Sequence, residues 1–356
     1  MDRYELRRLD YSLTEDHVDL QVAYRGFFES HCPIEVVRAA EAGGFDPALW
    51  DRLCAMGATT MALSGAHGGD AATLVDLTLV AEEIGRAIAP VPWVGHVVTS
   101  RLLAALGAFD GDGVLAEALL SGRSIAGLDL DTTGAGGRRL VASGAVADHV
   151  VVVDGNDVVR LTFDTHRPVV DNIARLPMAW IDPAEAASRT VVATGPAALE
   201  KYERAVDEWR LLVAASLVGL VEKTLDGAVE FAKNRRTHGV TISTLQAISH
   251  PLADIAIVVQ SGRNLARRAA WFLDHEPEER SELAASAFVF MTDEAAKAAT
   301  TAVHVQGGLG VSVESSASAY LVRARGWPLA AGDVAVAAAR IAKVVVERER
   351  RSDAAV

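Results

Sequence analysis

Along residues 1–124 apolar positions recur every three or four residues. "FDPALWDRLCAMGATTMAL" and "ATLVDLTLVAEEIGRAIA" both follow this spacing, which predicts helices. "SGAHGGD" between them and "GAFDGDG" after Leu106 are glycine-bearing breaks. From Ala126 to about Val192 the pattern changes. "VVVVD", "VVRLTFD" and "RTVVATG" are β-branched runs broken by Gly, Asp, Asn and Pro, which predict strands and turns. From about Ala197 the helical spacing returns, first in a long helix ending near Lys233. "SHPLADIAIVVQSGRNLARRAAWFLD" is a second helix, with Pro251 in its first turn where no N–H is needed. "ELAASAFVFMTDEAAKAATTAVHV" and "AVAAARIAKVVVERERR" are a third and a fourth, and the polar "HEPEERS" precedes the third. The expected fold is mainly α with a β insert. It comprises a helical domain over 1–124, a small β domain over 125–196 and a helical bundle over 197–356.

Composition narrows the function classes. Half the residues are apolar but only 6% aromatic, so the core is built from Ala, Val and Leu. The formal charge of −13 disfavours nucleic acid as a partner, whereas a few well-placed arginines suffice for one pyrophosphate. Cys32 and Cys54 stand apart from any metal-ligand spacing, so no metal is expected. The longest apolar run, "LLVAASLVGLV", is too short for a bilayer, and the polar N-terminus has no signal core. The expectation is a cytoplasmic protein that does not enter a membrane.

Four segments could carry chemistry. In "DEWR", Asp207 and Arg210 share one helix face and could pair or hold a polar ligand. In "NRRTHGVTISTLQ", two arginines close a helix, Gly239 suits its C-cap, and Gln246 follows seven residues later. In "HVQGGLGVSVES", paired glycines let backbone approach a ligand, or simply end a helix. In "YLVRARGWPLAAGD", Arg323 and Arg325 alternate before a structural turn at Trp327-Pro328.

In order and spacing these segments resemble the acyl-CoA dehydrogenase family. That family places a D-x-x-R on a long helix, then R-x-Q-F-G, a Gln and L-A-D. Here Asp207, Arg210, Gly219, Leu225, Asp226, Arg235, Gly239, Gln246, Leu252, Ala253 and Asp254 fall into that register without a gap. "HVQGGLG" is similar to the family's Q-x-x-G-G-x-G, and "GGDAATLVDLTLVAEEIGRAIAP" to its N-terminal helices. The resemblance implies an N-terminal helical domain, a short middle β-barrel domain and a C-terminal four-helix bundle. It implies FAD shared at a subunit interface and desaturation of an acyl-CoA thioester. Arg235, His238, Gln246, His304, Gln306, Gly307 and Gly308 would bind the cofactor, and Asp207 and Arg210 would face the substrate.

The departures bear on catalysis. The family's catalytic Glu sits either just before the Arg of D-x-x-R, where this chain has Trp209, or in a C-terminal segment, where it has Ala331. Neither can take a proton. Glu208 and Asp333 are the nearest carboxylates. Glu208 is one residue off, a rotation of about 100° on a helix. The family's T-E-x-x-x-G-S, which lies over the flavin, would fall at "LDLDTTGAGG", and the β domain is short. The chain is thus similar to the non-catalytic half of heteromeric acyl-CoA dehydrogenases acting on bulky thioesters such as those of steroid side chains, with a homologous subunit as partner. The alternatives are a self-sufficient homotetramer using Glu208 or Asp333, and a flavin-free structural or regulatory protein that keeps the fold.

Overall fold

A computed structural model describes residues 12–110 and 112–354 of the 356. They form two compact units, each discontinuous in sequence. One contains residues up to 34, 73–89 and 210 onward; the other contains 35–72 and 90–209.

The first unit is helical. Helix α1 (Glu15–His31) starts at Thr14, whose hydroxyl accepts from the His17 N–H. Helix α4 (Leu74–Ala87) is capped in the same manner by Thr73, while α2 (Ile34–Ala39) and α3 (Pro47–Ala55), which precede it in sequence, belong to the second unit. The C-terminal bundle brings α7 (Pro196–Asn234), α8 (Gln246–His275), α9 (Glu282–Gln306), α10 (Ala317–Gly326) and α11 (Val334–Ala354). Helix α9 packs on α8, α10 and α11, while α4 packs on α1 and α8.

Helices α4 and α7 cross in backbone contact. A Cβ added at Gly85 would lie 1.7 Å from the Ser216 carbonyl oxygen, and one at Gly219 would lie 1.8 Å from that of Glu82. Only glycine fits either place. Around this crossing a charge network joins four helices. Arg263 of α8 binds Glu82 of α4 and Glu222 of α7, Arg25 of α1 binds Glu83, and Arg86 binds Glu222 and Asp226. Burial pushes the Glu82 carboxyl up against the pull of Arg263. At Glu222 burial acts the same way but is outweighed by Arg263, Arg86 and Arg25, and its pKa is lowered.

The second unit holds α2, α3, α5 (Trp93–Ala105), α6 (Gly113–Leu120), the β insert and the start of α7. The insert has β1 (Ala126–Leu128), β2 (Arg139–Val141), β3 (His149–Asp154), β4 (Asp157–Thr162), β5 (Ala179–Ile181) and β6 (Ser188–Thr194). One sheet has the order β1-β3-β4-β6, with β1 parallel to β3, and a second pairs β2 with β5. The run of valines in β3 is buried on both faces, which explains the absence of alternation there.

Two local expectations are corrected. The second bundle helix begins at Gln246, not Ser249, because the Ile248 and Ser249 N–H groups already bond back to Leu245. Pro251 therefore lies inside it, beyond the first turn. Gly239 is not a helix C-cap either. Helix α7 ends at Asn234, and β7 (Arg236–Thr237) pairs with β8 (Val240–Thr241) in a hairpin whose two turn residues, His238 and Gly239, both have positive φ. A two-residue turn of that hand matches strand twist, and that requirement accounts for the glycine.

Candidate functional site

Asp207, Glu208, Trp209 and Arg210 lie in the interior of α7, 1%, 6%, 5% and 7% exposed. The ion pair expected on an open helix surface is therefore a buried arrangement. Asp207, Trp209 and Arg210 are all engaged in interactions within the fold. Glu208 is held by two cations. Its Oε2 accepts from Arg101 Nε at 2.8 Å, and its Oε1 lies 3.6 Å from Arg204 Nε one helical turn earlier. A base must be free to approach the carbon it deprotonates. A carboxylate tied to a half-buried guanidinium on α5 is positioned for structure. Arg101 was not singled out from sequence, because nothing in "SRLLAALG" shows which helix it meets.

The second position, Ala331, ends a 3₁₀ turn over Trp327–Ala331, ahead of Gly332 with φ 77°. Asp333 is exposed, and its Oδ1 accepts from the Ala335 N–H at the start of α11.

The residues assigned to cofactor binding fall into two groups. Arg235 and His238 lie on the connection between α7 and α8, Gln246 is the first residue of α8, and all three are exposed. His304, Gly307 and Gly308 lie at the end of α9 and are exposed too. A Cβ added at Gly307 or Gly308 meets nothing within 4 Å, so the backbone there is open to approach. Helices α8 and α9, of 30 and 25 residues, pack together as an antiparallel pair joined by residues 276–281. That topology brings Gln246 and the His304–Gly308 segment to the same end of the pair. Gln306 differs from its neighbours. Its Oε1 accepts from Ser315, and it lines a 470 Å³ groove with Lys223, Lys233 and Tyr320.

In the β insert the segment corresponding to "LDLDTTGAGG" is folded back on itself. Asp129, 4% exposed, pairs with Arg139 at 2.6 Å. The Arg139 guanidinium also donates to the carbonyls of Ala135, Gly137 and Val153 at 2.8–3.3 Å. Tyr202, buried on α7, donates to the carbonyls of Asp129 and Val151. Burial raises the Asp129 carboxyl to about 6, although the Asp131 N–H and Arg139 pull it down. Burial likewise lowers His96 of α5 to about 4. Its neutral ring accepts the Ala126 N–H at Nδ1 and donates from Nε2 to the Leu119 carbonyl. In the sequence Arg139 shows only as the second of two arginines after a glycine-rich stretch, with nothing to mark its partner.

The model of the acyl-CoA dehydrogenase N-terminal domain matches residues 14–110, and that of the C-terminal domain matches 201–346. The chain belongs to the acyl-CoA dehydrogenase family. That is a family of oxidoreductases. Among similar proteins, acyl-CoA dehydrogenase IpdE2 of Mycobacterium tuberculosis is 28% identical over 315 residues, covering 88% of this chain and 92% of that protein. Among solved structures of the same fold are the ChsE4-ChsE5 complex from Mycobacterium tuberculosis and a Tcur3481-Tcur3483 steroid acyl-CoA dehydrogenase variant. Their TM-scores are 0.85 and 0.84, both at 23% identity, covering 95% and 94% of this chain and 99% of each matched chain. Among the described residues no helix is long and apolar enough to cross a membrane, and no cluster of His, Cys, Asp or Glu could hold a metal ion.

Proposed function

We propose that this chain is the non-catalytic subunit of a heteromeric, FAD-dependent acyl-CoA dehydrogenase that desaturates an acyl-CoA thioester between its α and β carbons. The observation that carries this reading is the pair Glu208 and Trp209. The place before Arg210 holds an indole, and the adjacent carboxylate is locked to Arg101. Flavin, when bound, supplies the hydride acceptor. The catalytic carboxylate then belongs to a homologous partner.

What this chain contributes is a binding surface. Arg235 offers an exposed guanidinium suited to a diphosphate. Gln246, His238 and His304 add exposed hydrogen-bonding groups, and Gly307 and Gly308 leave room for close backbone approach. These residues fit the adenosine diphosphate end of a dinucleotide held by a neighbour. Gln306 belongs to the same segment, with its amide turned to Ser315. Asp207 and Arg210 remain assigned to the acyl-CoA-facing stretch of α7. The two-protein make-up of the ChsE4-ChsE5 and Tcur3481-Tcur3483 structures supports an unlike partner, and the steroid acyl-CoA dehydrogenase of the second supports a bulky thioester.

The test is co-expression with a family member that carries a catalytic Glu. The expected result is a stable complex containing flavin, with acyl-CoA-dependent bleaching lost when the partner's Glu is replaced and kept in Glu208→Gln. A chain that is yellow and turns over alone would overturn the proposal.

A further inference from the structure

The β1–β2 loop is held by contacts from its own side chains. The charged groups at its base are paired with each other, Asp129 Oδ2 and Arg139 Nε meeting as an ion pair and not as a hydrogen bond. Asp129 Oδ1 accepts from the Asp131 N–H, and its Oδ2 meets Arg139. The Arg139 guanidinium caps three carbonyls, two of them in the loop and one on β3. At the tip, Gly134 sits against the β3–β4 turn. The Gly155 N–H bonds the Gly134 carbonyl at 3.3 Å, and a Cβ on Gly134 would come within 2.9 Å of the Gly155 oxygen. Tyr202 holds the loop's first carbonyl from the α7 side. The loop is thus fixed at its base, middle and tip, and its inner face is filled by a guanidinium.

We infer that this loop is a latch, closed by Asp129 and Arg139, that replaces a flavin-ring seat in this chain's own β insert. The inference rests on the proposed function for where a flavin would otherwise lie. A loop that covers a planar ring has to present backbone or hydroxyl groups to it. Here the carbonyls of 135 and 137 are turned onto Arg139 instead. Opening the loop would separate a pair whose side chains are 5–6% exposed and release the three carbonyls that Arg139 holds. The chain therefore contributes the diphosphate-facing hairpin between α7 and α8 and the adjoining ends of α8 and α9, but no ring site.

Two measurements test the latch separately from the assembly. In the first, the purified full chain is titrated with FAD and free flavin fluorescence is followed. No saturable quenching at micromolar FAD is expected, and saturable binding would overturn the latch whether or not a complex forms. In the second, hydrogen exchange of amides 131–137 is compared between wild type, Asp129→Asn and Arg139→Gln. Exchange at least tenfold faster in both variants is expected, with helical protection elsewhere unchanged. Equal rates would remove the pair as the closing element. If either variant fails to fold, the wild-type titration and the flavin content of the complex still decide: one flavin per pair upholds the latch, and two overturn it while leaving the heteromer standing. Failure to form any complex would count against the proposed function alone.

Discussion

Glu208 carries the chemistry of a general base one residue from the place where the family puts it, so its surroundings decide its role. Arg101 donates to it at 2.8 Å from another helix, and Arg204 approaches it from the preceding turn. Replacing Glu208 by Gln keeps the volume and removes the charge, leaving Arg101 partly buried without its counter-ion. A hydrogen bond to a charged group is worth about 1.5–3 kcal/mol, and Arg101 keeps some solvent, so a stability loss of about 1–2 kcal/mol is expected. Urea titration of wild type and Glu208→Gln checks this. The rate of substrate-dependent flavin bleaching by the complex is expected not to change. A large rate loss at unchanged stability would restore Glu208 as a base and reverse the assignment. Arg101→Met should reproduce the stability loss, because it breaks the same pair from the other side.

At the scale of elements, each unit offers one feature to test. The α4–α7 crossing has no room for a methyl group at Gly85 or Gly219, where the facing atoms are backbone rather than movable side chains. Gly219→Ala is expected to cost about 3 kcal/mol, the upper part of the usual range for overpacking, measured as a lower urea midpoint at constant slope. The second feature is a pair of buried titrations in the other unit. His96 is neutral when folded, with a pKa of about 4 set by burial. The unfolded chain therefore binds its proton first, and stability falls as pH drops from about 6.5 towards 4. Asp129 works in the opposite sense. Its folded pKa of about 6 exceeds the unfolded value, so the folded state holds the proton longer and stability falls as pH rises from about 4 to 6. Each term is on the order of 3 kcal/mol, so across pH 4–6 they largely cancel. Midpoints measured against pH in His96→Gln and Asp129→Asn should show slopes of opposite sign that wild type lacks. Much of this level was legible in the sequence. Helical spacing gave α4, α7, α9 and α11, and β-branched runs gave β3, β4 and β6. What pattern could not reveal was pairing across distance. Gly85 meeting Ser216, or Arg101 meeting Glu208, leaves no local trace, and the early start of α8 at Gln246 was masked by a proline that reads as a first-turn residue. The site was legible as residue types in register, while the locked state of Glu208 and the folded-back loop at Asp129 were not.

Taken as a whole the molecule carries 34 Lys and Arg against 47 Asp and Glu, a field that opposes any diphosphate at long range. Binding one requires a local excess of positive charge. The run "KNRRTH" at 233–238 supplies it, with three Lys or Arg, a histidine and no acid. The helix dipole accounts for cations at the end of α7 only within its last turn. Arg235 and Arg236 lie past that turn, on an exposed hairpin whose His238 holds φ 46°, a conformation uncommon for a residue with a side chain. Among the described residues neither arginine side chain is joined in an ion pair. A charge held out on a strained hairpin contributes little to the stability of the free chain, so Arg235→Ala should leave its urea midpoint within about 0.5 kcal/mol of wild type. In the complex with a catalytic partner, the same change should weaken FAD at least tenfold, about 1.4 kcal/mol, since a charge-assisted contact to phosphate is lost. Added salt should weaken wild-type binding more than that of Arg235→Ala, because one of the screened contacts is already missing in the variant. Equilibrium dialysis of the complex at two ionic strengths reads both effects. An unchanged dissociation constant would place the diphosphate away from this hairpin and overturn the role proposed for Arg235.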